Sequence, residues 1–333
     1  MAIQNSTNTA NMTEVYAEQK MLTSSKAVVV LEKFGLVKTM PKNGGLQIKF
    51  RRPDVFTAST TPLTEGVAPT ARAFTYTDTT ATIAQYGDLV ETTDVLEDTI
   101  DCPMLNDMST QVGENIGRTT EALNWGVLKA GTNVAYANGS ARNAVNTKLT
   151  QALQRAVIRT LRSNKGMMFS KVLDGSIDVG TKPVEASYIA ITHTDVEHDI
   201  RELTGFIPAA AYGSRKLVSE YEIGAVDNVR YVISPDLNPI IDAGGAKGST
   251  AVSTSGTLAD VYPILYLAKE AFGCIALGGK AAKSVSPSIL PSGTRDKSDP
   301  LGQRGYVSAK YYHTCKILND AWMVRAEVAV TPL

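Results

Sequence analysis

Apolar residues recur through Leu105, Met108, Val112, Ile116, Leu123 and Val127 at three- and four-residue intervals or their sums. That is the period of one helix face. It predicts a helix over 104–130, about seven turns long and the longest in the chain. Pro103 stands just ahead of it and Gly131 closes it, the positions a helix start and stop tolerate. Gly113, Gly117 and Gly126 lie inside, each costing ~1 kcal/mol relative to alanine. A long helix that keeps such residues packs closely on another backbone, so it reads as a structural spine. A second amphipathic helix is predicted over Thr147–Ser163, with Leu149, Leu153, Ala156, Val157 and Leu161 on one face. Thr13–Phe34 has helical character, and Asp195–Leu203 reads as a short helix. Ser187–Thr192 is a continuous apolar run of strand length, which predicts a buried strand. Gly224–Pro235 holds another strand, Tyr262–Ala268 and Gly273–Leu277 are apolar, and Tyr306–Leu318 and Ala321–Val330 are strand-like.

The stretch from Leu46 to Glu97 has a different pattern. A basic strand (LQIKFRRPDVF) is followed by a small, polar connector (TASTTPLTEGVAPTARAF) and then by a Thr-rich strand running to residue 98. Two long strands joined in this way form an arm that projects from a body. The arm has too little apolar surface for a core of its own, and an isolated hairpin is marginal in water. It therefore needs a surface to lie on, and this points to a building block of an assembly before it points to an enzyme.

Helices and strands mix without the regular beat of a doubly wound sheet, which places the chain in the α+β class. No repeat of 20 to 50 residues is visible. Asp242–Gly256 (DAGGAKGSTAVSTSG) reads as a flexible Gly/Ser-rich surface loop. The 333 residues are 43% apolar and 20% charged, enough for a substantial core, and 33 basic residues balance 33 acidic ones. A dedicated nucleic-acid binder carries a basic excess that this chain lacks overall. Cys102, Cys274 and Cys315 are odd in number and widely spaced, which argues against a disulfide framework and for buried thiols in a reducing compartment. The N-terminal stretch is polar and unlike a signal peptide, and no apolar run is long enough to span a bilayer.

Candidate chemistry is sparse. HTDVEHD gathers His193 and His198, but their five-residue spacing splays them about 140° around a helix. This is not the arrangement that sets two histidines on one face. Asp195 and Glu197 are explained equally well as acids at a helix start. GGAKGST (Gly244–Thr250) has the look of a phosphate loop but lacks its Gly-Lys-Ser/Thr ending. His313 and Cys315 share a strand face and form a conceivable pair without an orienting group. No catalytic, metal or cofactor-binding residue is assigned. Arg51 and Arg52 are expected to pair with carboxylates, with Glu65 of a neighbouring copy as the obvious partner, because the guanidinium fork grips a carboxylate at two points.

Seven blocks in order then carry a family resemblance. They are FRRPDVF, PLTEGVAPTAR, QYGDLVETTDVLEDT, GTNVAYANGSAR, SYIAITHTDVEHDIREL, YEIGAVDNVRYVISPDL and SDPLGQRGYVSAKYYHTCKILNDAWMVRAEVAV. Together they resemble the major capsid proteins of N-four-like tailed phages, which have the Hong Kong 97-type fold, over about residues 13–333. The resemblance implies an N-terminal arm over 1–44 and an extended loop over 45–97 that lies on a neighbouring subunit. It implies a peripheral domain over 98–183 built on the spine helix, and an axial domain over 184–257. The chain would return over 258–333 to the axial and peripheral sheet. It also implies a virion protein, assembled in the host cytoplasm, that forms hexamers and pentamers of a shell around double-stranded DNA. Expected partners are other copies of the chain, portal, scaffolding or decoration proteins, and packaged DNA through non-specific contact, with no membrane. Arg51, Arg52, Glu65, Arg72, Asp299 and Arg304 become candidate inter-subunit contacts. Two other readings compete: a metal-dependent hydrolase built on His193 and His198, and another structural subunit of the same particles.

Overall fold

The structure, a computed structural model, describes residues 20–21, 24, 29–40, 43–54, 56–99, 104–173, 181–213, 215–277, 285–295 and 299–332. After a 3-10 turn at Leu31–Phe34 come β1 (Leu36–Met40), β2 (Gln47–Pro53), β3 (Tyr76–Thr82) and β4 (Ala84–Thr93). Helices α1 (Asp94–Thr99) and α2 (Met104–Leu128) follow. Next are β5 (Val134–Tyr136), α3 (Gln151–Ser163), β6 (Phe169–Leu173), β7 (Thr181–Thr192), α4 (Glu197–Arg201) and β8 (Ile207–Pro208). The chain closes with β9 (Glu222–Val226), β10 (Val229–Ile233), β11 (Tyr262–Leu267), β12 (Phe272–Leu277), β13 (Val285–Leu290), β14 (Arg304–Ile317) and β15 (Met323–Val328).

These strands make three sheets. The largest runs β5-β15-β11-β7-β10-β9-β8, with β6 on β7; a second runs β1-β12-β14-β13, with β4 on β14; β2 and β3 form a third. In the largest sheet successive side chains of the central strands enter two different cores. Tyr188, Ala190, Ile264 and Tyr266 face α3 and α4 through Val157, Ile158, Leu161 and Ile200. Ile189, Ile191, Leu265 and Leu267 face the other way, onto Trp125, Leu128, Leu31 and Phe34. A strand covered on both faces needs apolar residues at every position, which explains the unbroken runs read from the sequence.

Helix α2 joins the two larger sheets. Its Val112 and Ile116 pack on Ile289, Val307, Ala309 and Tyr311 of the β13–β14 pair, while its C-terminal Trp125 and Leu128 enter the core of the other sheet. It is a spine in the mechanical sense. A Cβ at Gly113 would lie 2.3 Å from the Met21 carbonyl oxygen, so this glycine admits a crossing backbone. Gly126 faces open space, and close packing does not explain it.

Several expectations shift. Most of the helix read over Thr13–Phe34 lies outside the described residues. Its end is the 3-10 turn, after which Leu36–Met40 is a strand, parallel to β12, that the sequence reading left out. The long Thr-rich strand read over 75–98 divides at Ile83, which is buried with Met40, Phe50, Ala81 and Ile275. Before Ile83 the chain belongs to the arm; after it, β4 pairs with β14 from Ala84–His313 to Thr93–Arg304. The stretch Gly224–Pro235, read as one strand, holds the end of β9, a turn at Asp227, whose φ is 51°, and β10, which pairs back on β9. Helix α3 begins at Gln151 because Thr150 caps it, accepting the Leu153 N–H at 3.3 Å. Its buried face holds Gln154 and Ile158 in place of the expected Ala156, since the Gln154 side chain donates to the Val226 carbonyl at 3.0 Å. Residues 258–333 serve both larger sheets, β11 and β15 one and β12 to β14 the other.

The loop over 242–256 is pinned, contrary to its composition. Asp242 N–H donates to Asp260 at 2.9 Å, and Gly244 N–H and Gly245 N–H donate to Ala259 and Val145. A Cβ at Gly244 would meet the Val145 carbonyl oxygen at 2.4 Å. Among the described residues no helix is long and apolar enough to cross a membrane.

Candidate assembly surface

The arm is built from β2 and β3, paired antiparallel from Gln47–Thr82 to Pro53–Tyr76. Its side chains are exposed except at the root, where Phe50 and Ala81 are buried. Beyond the strands every described residue from Phe56 to Thr75 is exposed. Three rings gather where the strands end: Phe56 and Phe74 with centroids 5.8 Å apart, and Phe74 and Tyr76 at 4.7 Å, edge to face. Each ring is more than half exposed, as are Leu63 (76%) and Val67 (64%) further out. At the tip, the Val67 N–H donates to the Thr64 carbonyl at 3.1 Å, and Gly66 takes φ 79°. This turn needs a residue free to adopt positive φ, and it leaves Glu65 in solvent between two apolar side chains. Large apolar side chains gathered in solvent on one projecting element mark a site of association.

Arg51 and Asp78 face each other across the ladder. The guanidinium donates twice to the carboxylate, at 2.8 and 3.0 Å, and holds Asp78 below the usual carboxylate range. Arg51 therefore finds its carboxylate inside its own hairpin, where a partner on another copy had been expected. The register makes this pairing: only with Gln47 opposite Thr82 do Arg51 and Asp78 coincide. Arg52 points to the opposite side of the pleat and lies over the Trp322 ring of the body at 5.9 Å. At the neck, Asp54 accepts from the Thr75 and Thr77 hydroxyls at 2.8 and 2.6 Å, and Arg72 donates to the Thr57 carbonyl. Asp299 and Arg304 sit elsewhere, at the start of β14. Asp299 accepts the Gly302 and Arg304 N–H groups at 3.1 and 2.9 Å, and Arg304 lies 3.3 Å from Glu91 of β4. Sequence reasoning missed the three rings and strand β1. The rings carried a signal, because Phe56 and Phe74 flank the connector and the strand register brings them together.

The histidines go to separate partners. Nδ1 of His193 takes the Asp195 N–H at 3.2 Å, and His198 lies 3.4 Å from Glu202. Among the described residues no group of three or more His, Cys, Asp or Glu side chains is placed to hold a metal. His313 does not pair with Cys315. Its Nε2 meets Asn124 Oδ1 at 2.7 Å beneath α2, and burial pushes it down to about 4. Cys315 faces Cys274 across the ladder. The Cys274 thiol is pushed well up by its contact with Cys315 and by burial. The His313 imidazole and the Cys274 thiol are both held in the neutral form, and thiolate chemistry needs the opposite.

The sequence profile of a family described as phage capsid protein matches residues 76–289. A major capsid protein of Pseudomonas phage KPP21 is 24% identical over 170 residues; the match covers 50% of this chain and 43% of that protein, so the chain aligns with less than half of its length. Among solved structures, the capsid of Ralstonia phage GP4 superposes with a TM-score of 0.68 at 13% identity, over 92% of each chain. The capsid of cyanophage P-SCSP1u superposes with a TM-score of 0.60 at 14% identity, over 91% of this chain and 89% of that one.

Proposed function

The chain belongs to the phage capsid protein family, and on that footing we propose that it is the major capsid subunit of a tailed phage with a double-stranded DNA genome. In this reading many copies form hexamers and pentamers that tile an icosahedral shell, because head-to-tail contacts that close on themselves generate rings. We assign the β13–β14 sheet and α2 to a peripheral domain. The loops of residues 184–257 go to an axial domain at the local symmetry axes, and residues 1–44 to an N-terminal arm that docks on another subunit. Assembly takes place in the host cytoplasm. Portal, scaffolding or decoration proteins meet the finished lattice, and packaged DNA touches it without sequence preference. No catalytic step is assigned.

The observation that carries this reading is the arm: a connector exposed from Phe56 to Thr75 that holds Phe56, Leu63, Val67 and Phe74 in solvent, rooted by β4 in the body. Such a surface is stable only when covered. Obligate interfaces of this kind bury about 2,000–5,000 Å². Deletion of residues 57–73 tests it, since the Phe56 and Phe74 rings already touch and joining them closes the strand ends. The shortened chain is expected to fold as a monomer and to give no closed particles by sedimentation and negative-stain imaging. Shells of normal size from that chain would overturn the assignment.

A further inference from the structure

Charge in this neutral chain is not evenly spread. Helix α3 contains Arg155, Arg159 and Arg162 and no acidic residue, and Lys165 follows its C-terminus. Spacings of four and three place the arginines on one face, beside the buried stripe of Gln154, Val157, Ile158 and Leu161. All four basic side chains are exposed. Asp227, in the turn between β9 and β10, lies 3.4 Å from Arg155. Among the described residues neither Arg159 nor Arg162 has a carboxylate within 4.0 Å. With Ile158, Ser163, Asp227 and Asn228 the three arginines line an open depression of about 660 Å³, in which Asp227 is the one carboxylate among the lining residues.

We propose that this face of α3 binds the phosphate backbone of double-stranded DNA. The chemistry is a row of guanidinium forks supplemented by a hydroxyl and an amide, which suits phosphate oxygens. At 1.5 Å per residue the row from Arg155 to Arg162 runs about 10 Å, the axial rise of about three phosphates along one strand. An acidic surface of a second copy is the competing occupant, and the composition of the face argues against it. A protein interface needs an apolar centre, and α3 exposes no large apolar side chain. The proposal rests on the capsid reading for its supply of DNA, and it orients α3 toward the interior of the shell.

The test uses the soluble, unassembled full-length chain and a fluorescein-labelled 24-base-pair duplex of arbitrary sequence, read by anisotropy from 50 to 200 mM NaCl. Three to four phosphate contacts give a slope of log K against log salt of about −3. The R159Q/R162Q chain is expected to lose about two units of that slope and about tenfold or more in affinity at 50 mM salt. R159K/R162K keeps most of the slope, and R118Q/R201Q, which removes two exposed arginines elsewhere, binds as the parent does. Thermal unfolding confirms that each variant is folded. DNA binding by R159Q/R162Q equal to that of the parent overturns the proposal, and so does unchanged DNA binding with loss of self-association in sedimentation, which assigns the face to a second copy. Failure of the parent chain to form particles counts against the capsid reading, while its DNA affinity still reports on α3.

Discussion

Glu121 and Leu31 meet across the interior: the buried carboxylate of the spine helix accepts the Leu31 backbone N–H at 3.2 Å and the neighbouring Val30 N–H at 3.3 Å. Burial nonetheless outweighs these donors and pushes the Glu121 carboxyl up to about 7. A carboxyl raised in the folded state stabilises fully below its unfolded value near 4.5, and the contribution is lost as pH rises through about 7. The size is on the order of 3 kcal/mol. The difference in unfolding free energy between the parent and E121Q, measured by denaturant titration from pH 4.5 to 8, should shift in favour of E121Q as pH rises. A difference independent of pH would sink this assignment.

His313 acts in the opposite sense. Its imidazole is buried against Asn124 and titrates near 4, below the ordinary value of 6.5. A base lowered in the folded state contributes above 6.5, and the contribution is lost as pH falls through about 4. H313Q keeps a polar partner for Asn124 and should flatten the acid limb of the stability curve. An acid limb as steep as in the parent would show that other groups set it.

Two glycines of the spine helix should answer oppositely to alanine. At Gly113 the new methyl would lie 2.3 Å from the Met21 carbonyl oxygen; such overpacking costs about 1–3 kcal/mol. At Gly126 nothing lies within 4 Å, and alanine should stabilise by about 1 kcal/mol through helix propensity. Urea unfolding of the two single variants checks both signs.

Glu65 stands exposed at the tip of the arm between Leu63 and Val67. E65K should leave the unfolding midpoint of the monomer unchanged and lower the yield of particles followed by light scattering, with the deficit shrinking as salt rises and screens the charge. Parent-like yield at low salt would remove Glu65 from the contact.

Long periodic elements were legible in the sequence. The spine helix was read as 104–130 and found as Met104–Leu128, and the apolar runs at Ser187–Thr192 and Tyr262–Ala268 are strands with both faces covered. Elements whose identity depends on a partner were not. Val134–Tyr136 is a strand only because β15 lies beside it, and Val285–Leu290 carries Pro287 and borrows its register from β14. The division at Ile83 was hidden because Thr-rich alternation continues on both sides, and only burial marks the break. Of the candidate contacts, Arg51 was legible as a residue that seeks a carboxylate. Its partner Asp78 required the hairpin register, and the direction in which Arg155, Arg159 and Arg162 point required knowing that Ile158 and not Ala156 turns inward.

The ladder between β4 and β14 also decides how the arm bears load. A neighbour pulling on the tip draws β3 and then β4 along the strand axis, so the hydrogen bonds from Ala84–His313 to Thr93–Arg304 are stressed together, in shear. Peeling them one at a time would need a pull perpendicular to β14. The single residue between the two strands, Ile83, is buried with Met40, Phe50, Ala81 and Ile275, so the root of the arm is clamped in the body where the ladder begins. The arm is a tether whose footing resists slipping, a geometry suited to carrying tension.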